Sequence, residues 1–146
     1  MKIFLLIFML LCGTLLKGQM VPFYSAANDK YGYKDAKGVV IVAPKYDLAY
    51  TFDEERAAVR LNGKYGYVDQ KGKEIIAPKY DNTWKFIGGL AAVKLGDKYG
   101  FIDKNGREVV PPIYENGYNY HGACCYKGQI HVKENGKWKI IKIAKF

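Results

Sequence analysis

The sequence predicts an all-β protein built from tandem repeats of about 34 residues, and three observations support this fold class. A Lys-Tyr-Gly-aromatic motif begins at Lys30, Lys64 and Lys98, so successive motifs start at a constant interval. Turn-forming residues follow each motif at a constant spacing, and no long stretch carries the apolar period of a helix. A fixed period of this length is typical of architectures in which small units stack to bury a shared core.

The N-terminus is interpreted first as a signal peptide over residues 1–18. Lys2 precedes an apolar run from Ile3 to Leu16, and Lys17 and Gly18 end that run. The run is shorter than the roughly 20 residues that span a bilayer. We therefore expect export to the periplasm, cell surface or medium, with no membrane span after cleavage, although the segment could instead be retained as an anchor. Residues 19–146 would form one β domain.

The repeats divide that domain in order. A truncated leading unit covers 21–29, with its strand at Phe23 to Ala27 and a turn at Asn28-Asp29. Three units follow at about 30–63, 64–97 and 98–136, and a capping unit covers 137–146.

Each unit reads as three short strands, illustrated by the second. Asp69 and Gly72 mark a four-residue turn after the first strand, because Asp bonds back to the backbone and Gly tolerates positive φ. Pro78 is expected to end the second strand, since proline cannot donate to a ladder. Asn-Gly pairs such as Asn62-Gly63 predict a hairpin after the third strand.

The predicted strands lie near 31–34, 39–43, 57–61, 65–68, 74–77, 91–95, 99–102, 107–110, 130–134 and 137–143. Stacking of such units predicts an open β-solenoid or array of antiparallel hairpins. A closed propeller is the alternative, but its blades normally have four strands and number at least four.

At these motifs the chain resembles the WG repeat family, also called KWG repeats. The resemblance rests on a basic-aromatic-Gly-aromatic start, an Asp turn, a Pro-x-Tyr-Asp segment, and a Phe before an Ala-Val strand. Its signature residues are expected to be structural: Tyr31, Gly32, Pro44, Tyr65, Gly66, Pro78, Tyr99, Gly100, Pro112 and Trp138. Tyrosine replaces the name-giving tryptophan in three units, and Lys139 replaces Gly after Trp138. The resemblance implies an exported interaction protein without shared catalytic residues.

Composition excludes some functions. The formal charge is +9, which favours acidic partners, but the lysines are spread through the repeats and many lie in turns. Nucleic-acid binding is not expected, because basic and aromatic residues are not concentrated and export argues against it. No catalytic set or phosphate-binding loop is present, so we expect no enzyme activity and no cofactor. The acidic run Asp53, Glu54 and Glu55 is interpreted as a solvated loop.

A candidate binding surface is expected at residues 118–131, where the period is broken. From Phe86 the next Lys-aromatic start is reached at Tyr99, whereas from the equivalent Tyr120 it is delayed to Trp138, so the third unit carries an insertion. Insertions in repeat folds usually emerge as loops, often on the binding face. The candidate residues are Tyr118, Tyr120, His121, Cys124, Cys125, Tyr126 and His131.

No metal is expected at this surface, because adjacent cysteines cannot easily point at one ion and the Cys-x-x-Cys spacing is absent. The sequence predicts a non-catalytic binding module for an unidentified protein or cell-envelope polymer. A small metal- or redox-active protein acting through Cys124 and Cys125, and a structural spacer without a ligand, are the alternatives.

Overall fold

The computed structural model describes residues 19–117 and 128–143, and these residues form antiparallel β-sheets with no helix. The first sheet consists of β1 (Val21–Ser25), β2 (Lys30–Lys34) and β3 (Val40–Tyr46). The second consists of β4 (Leu48–Ala49), β5 (Arg56–Leu61), β6 (Lys64–Asp69) and β7 (Glu74–Tyr80). The all-β prediction is therefore confirmed.

Two further sheets continue the series. The third consists of β8 (Asn82–Thr83), β9 (Leu90–Leu95), β10 (Lys98–Asp103) and β11 (Glu108–Tyr114). The fourth consists of β12 (Gln129–Glu134) and β13 (Lys137–Lys142). The two-residue strands β4 and β8 were not predicted, and each pairs with the long strand that follows it.

Each sheet takes its strands from two sequence repeats. In the second sheet, β5 is the third strand of one unit, whereas β6 and β7 are the first two strands of the next. The turn that joins β5 to β6 is Asn62-Gly63, and both residues have positive φ (51° and 78°). This is the geometry that favours Asn-Gly in a two-residue hairpin.

The core lies between successive sheets. Tyr33 and Tyr46 of the first sheet pack with Phe52 and Val59 of the second-sheet region. The same arrangement recurs one repeat later, where Tyr67 and Tyr80 pack with Phe86 and Val93. These recurring tyrosines are fully buried.

The proline of each repeat lies within a strand, so the prediction that Pro78 ends the second strand is wrong. β7 continues to Tyr80 because its pairing with β6 is bulged: Tyr67 pairs with Ile76 and Tyr65 with Tyr80. Gly66 alone therefore lies opposite three residues, including Pro78. At this bulge, β6 needs no hydrogen bond from the backbone nitrogen of Pro78, which has no hydrogen to donate.

The bulge also explains the constant spacing of glycine and proline. A Cβ placed on Gly66 would overlap the carbonyl oxygen of Ile76 and lie 2.7 Å from the backbone nitrogen of Pro78. Gly32 and Gly100 meet equivalent backbone atoms at Pro44 and Pro112. The glycine of the signature thus allows two backbones to approach closely.

The Asp turn forms as predicted. Asp69 Oδ1 accepts hydrogen bonds from the amides of Lys71 and Lys73, both at 2.9 Å. Asp35 and Asp103 accept from the matching amides of their own turns. These carboxylates therefore hold the connection between the first and second strands of each unit.

The acidic run at Asp53 is not a purely solvated loop, which corrects the sequence interpretation. The two carboxylate oxygens of Glu54 accept hydrogen bonds from the amides of Gly88 and Gly89, at 2.6 and 2.7 Å. Glu54 and Gly88 occupy the same repeat position, so the turn of one repeat binds the equivalent turn of the next. We call this contact the turn clasp.

Candidate functional site

Most of the predicted binding surface lies outside the described residues. This applies to Tyr118, Tyr120, His121, Cys124, Cys125 and Tyr126. His131 is described: it lies in β12, is half-buried and pairs with Ile140 of β13. The proposal that this surface binds a partner stays a prediction.

Two of the signature tyrosines contact the opposite strand of their hairpin. Tyr65 and Tyr99 are half-buried, and each receives a cation from the opposite strand position, Arg60 and Lys94 respectively, at 5.7 Å from the ring centroid. Cation–π contacts of this kind stabilise the hairpin. The name-giving aromatic position is thus used within the fold.

A cleft with a volume of about 300 Å³ lies where the second and third sheets meet. Volumes of this size are at the lower end of ligand pockets in proteins. The lining residues come from two connecting segments and from parts of β5, β6 and β8: Tyr50, Thr51, Asp53, Arg56, Ala58, Tyr67, Thr83, Trp84 and Lys85.

Equivalent positions of successive repeats line the cleft. Tyr50 and Trp84 are one repeat apart, and so are Thr51 and Lys85. Short β-pairing positions both segments, because the amide of Tyr50 donates to the carbonyl of Ala58 at 3.0 Å and that of Trp84 to Ala92 at 3.1 Å. The same backbone pairing therefore places one aromatic side chain, Tyr50 or Trp84, at the cleft from each of these two units.

Buried hydrogen bonds stabilise the inner part of the cleft. The Tyr67 hydroxyl donates to the carbonyl oxygen of Trp84 at 2.5 Å and also contacts the Thr83 hydroxyl. Thr83 in turn donates to the carbonyl of Ala92 at 3.2 Å. Because these polar groups are satisfied by the protein, the cleft has a fixed inner surface.

Charged residues line the cleft near the turn clasp. Arg56 Nε donates to the carbonyl of Lys104 and one Nη donates to that of Glu55, both at 2.9 Å. These bonds hold the guanidinium beside the cleft, while Lys85 is exposed. Asp53 supplies the single carboxylate among the lining residues, so cations outnumber anions there.

Tyr50 gives the cleft an accessible aromatic surface, with 47% of the residue exposed. Partial burial and a hydrogen bond with the Tyr65 hydroxyl raise the pKa of Tyr50. The phenol is therefore neutral at physiological pH. Aromatic and hydroxyl groups beside two cations can bind a polar, anionic ligand.

Sequence reasoning missed this cleft, although a signal was present. Position 50 of the first unit is Tyr, position 84 is Trp and position 118 is Tyr, so each unit has an aromatic residue there. Of the predicted site residues, Tyr118 thus shares the repeat position of the cleft aromatics. Among the described residues, no group of three potential metal ligands comes together, and no helix is long and apolar enough to cross a membrane.

Comparison with known proteins identifies the repeat. The family model for the WG containing repeat matches residues 31–65, 65–99 and 99–124. No curated protein and no solved structure matches the chain. The three tandem matches begin at the half-buried tyrosines of the Lys-Tyr-Gly motifs and extend over more than half of the sequence. The chain therefore belongs to the WG-containing repeat family.

Proposed function

We propose that this protein is an exported, non-catalytic binding module for an acidic polysaccharide of the cell envelope. The observation that carries the proposal is the cleft between the second and third sheets. It combines an accessible tyrosine, a tryptophan, hydroxyl groups and an excess of cationic side chains. These groups suit a sugar ring that carries a carboxylate, phosphate or sulfate.

The repeat geometry favours a polymer over a single small molecule. The same connecting segment contributes Tyr50 and Thr51 from one unit and Trp84 and Lys85 from the next. A ligand that contacts both segments meets two similar surfaces in a regular order. A polymer with repeated units matches that order better than a compact ligand does.

The two tryptophans provide a direct test, because the chain has only Trp84 and Trp138. The variant Trp138→Phe leaves Trp84, beside the cleft, as the sole indole. Titration of this variant with a polyuronate should change its fluorescence in a saturable way, and added salt should weaken the binding because exposed charges are screened. A neutral glucan of similar length serves as the control ligand.

Charge reversal locates the interaction. Lys85→Glu should weaken polyuronate binding by about tenfold or more, which corresponds to about 1.4 kcal/mol. Lys71→Glu carries the same change at an exposed turn lysine that does not line the cleft, and it should bind nearly as the parent does. Equal weakening by both variants, or equal binding of both polymers, would contradict a specific acidic-glycan cleft.

Export and the absence of catalysis are tested separately. Mass spectrometry of the protein from the producing cell should give an N-terminus at Gln19 or within two residues of it. The full-length chain in the cytoplasm would refute export. A variant with alanine at Cys124 and Cys125 should retain polymer binding, whereas loss of a thiol-dependent activity in that variant would support the redox alternative.

A further inference from the structure

A basic residue pairs with an aromatic residue across the hairpin of three successive sheets. In the second, third and fourth sheets the pairs are Arg60 with Tyr65, Lys94 with Tyr99, and Lys133 with Trp138. We call these three pairs the basic-aromatic row. Each pair lies a few residues from the turn that joins its two strands, so the row occupies the same end of all three hairpins.

The three sheets stack in the same manner, which places the pairs along one side of the array. Tyr67 of the second sheet and Val93 of the third belong to one core cluster. The equivalent residues Phe101 and Val132 belong to the core cluster between the third and fourth sheets. Because stacked sheets lie about 10 Å apart, successive pairs of the row are separated by about that distance.

The row begins beside the cleft. Tyr50, which lines the cleft, is hydrogen-bonded to the Tyr65 hydroxyl. Trp84, which also lines it, has its ring centroid 5.8 Å from that of Tyr99. A ligand in the cleft therefore lies next to the first two pairs, whereas the pair that contains Lys133 lies one sheet further along the array.

The cations of the row are not neutralised by neighbouring acids. None of the three forms a salt bridge with a carboxylate within residues 19–117 and 128–143. Lys64, by contrast, forms a salt bridge with Asp81, so this carboxylate, which also lies near Lys94, is already paired. Trp138 is 50% exposed. A series of unpaired cations on one side of a protein favours an anionic partner.

We propose that an acidic polysaccharide bound in the cleft continues along the basic-aromatic row, so that each of the three sheets contributes an ionic contact. This inference rests on the proposed function and adds to it the kind of polymer, which is linear and carries its anionic groups at regular intervals. The separation of the sheets is comparable with the length of a disaccharide unit. A ligand of two sugars therefore occupies the cleft, and a longer one reaches Lys133. Contacts linked within one polymer strengthen its binding together.

Calorimetric titration of the protein, as the producing cell yields it, with galacturonate oligomers tests the inference. The octasaccharide should bind at least about tenfold more tightly than the disaccharide, because linked contacts act together. Lys133→Gln should weaken binding of the octasaccharide by about threefold, as expected for the loss of one exposed ion pair. The same variant should bind the disaccharide as the parent does, since two sugars do not reach the fourth sheet.

A matched control separates the row from surface charge in general. Lys79 also lies over a tyrosine ring, at 5.0 Å from the centroid of Tyr80, but it is not part of the row. Lys79→Gln should therefore bind both oligomers as the parent does. Circular dichroism of each variant establishes that the sheet content is unchanged.

The outcomes distinguish this inference from the proposed function. Equal affinity for the two oligomers, or octasaccharide binding that Lys133→Gln leaves unchanged, overturns the inference, while a disaccharide weakened by Lys85→Glu still supports the cleft. Failure of both oligomers to bind the parent overturns both. A single-stranded DNA that binds more tightly than the octasaccharide would assign the row to nucleic acid and overturn the polysaccharide.

Discussion

Tyr46 and Tyr80 occupy equivalent buried positions, so comparing them isolates the effect of a hydrogen-bond partner on a buried tyrosine hydroxyl. Both residues are fully buried, and in each case the preceding lysine lies close to the ring, at 4.9 and 5.0 Å from its centroid. The Tyr46 hydroxyl donates to a carboxylate oxygen of Glu74 at 2.7 Å. The Tyr80 hydroxyl has no hydrogen-bond partner among the described residues.

Replacement of each tyrosine by phenylalanine should therefore have opposite effects. Tyr46→Phe removes a hydrogen bond to a charged group. Because Glu74 is partly exposed and also binds Lys45, we expect a loss near the low end of the usual range, about 1.5 kcal/mol. Tyr80→Phe removes a buried hydroxyl that has lost its water and gained no partner, and it should stabilise the fold by about 1 kcal/mol.

Urea unfolding measures both effects as changes in the midpoint at constant slope. The two variants should differ by about 2.5 kcal/mol, and their melting temperatures should move in opposite directions by roughly 3–5 °C per kcal/mol. By repeat equivalence, the carboxylate that could accept from the Tyr80 hydroxyl, as Glu74 does from Tyr46, is that of Glu108. If Tyr80→Phe destabilises the protein as much as Tyr46→Phe does, the Tyr80 hydroxyl is satisfied in solution and the reasoning is refuted.

Three further predictions use matched positions. Gly66→Ala should destabilise the fold by more than about 3 kcal/mol because its Cβ meets fixed backbone, whereas Gly63→Ala, with open space but a positive φ, should lose only about 1 kcal/mol by urea unfolding. Glu54→Gln should weaken the turn clasp and lower stability by about 1 kcal/mol, and Glu55→Gln, whose ion pair is long and exposed, should change little in the same assay. The Lys45 ammonium and the Tyr46 hydroxyl lower the pKa of Glu74, so ionised Glu74 stabilises the fold fully above its ordinary pKa of 4.5, and this stabilisation is lost as pH falls through the lower folded pKa. Between about pH 6 and about pH 3, the urea midpoint should therefore fall less in Glu74→Gln than in the parent, and equal slopes would contradict this.

The repeat pattern predicted most of the fold because each signature residue acts locally. The Asp turns and the Asn-Gly hairpins depend on a few neighbouring residues, so their geometry follows from short motifs. Prolines were misjudged because the bulge opposite Gly66 relieves the need for a ladder donor at Pro78. That relief depends on the partner strand, which a local rule does not consider.

The binding cleft was harder to predict than the strands. Its lining depends on contacts between repeats, and Tyr50 and Trp84 are not marked by any motif of their own. The turn clasp was missed for the same reason. The position equivalent to Glu54 is Gly88, and Glu54 accepts hydrogen bonds from the amides of Gly88 and Gly89 in the next unit. Periodicity indicates which positions are equivalent, but not which differences between them matter.

The offset between sequence repeats and sheets has a consequence for how such a chain can grow. Because β5 and β6 are hydrogen-bonded across the boundary near Gly63, a cut there would split a sheet. A cut near Asp47, between β3 and β4, falls between sheets. Yet a duplicated segment one repeat long restores one complete sheet wherever its ends lie, since each strand it interrupts is supplied again by the copy. Gene duplication can therefore lengthen the array without selecting a particular breakpoint, and every new sheet arrives with both of its packing faces.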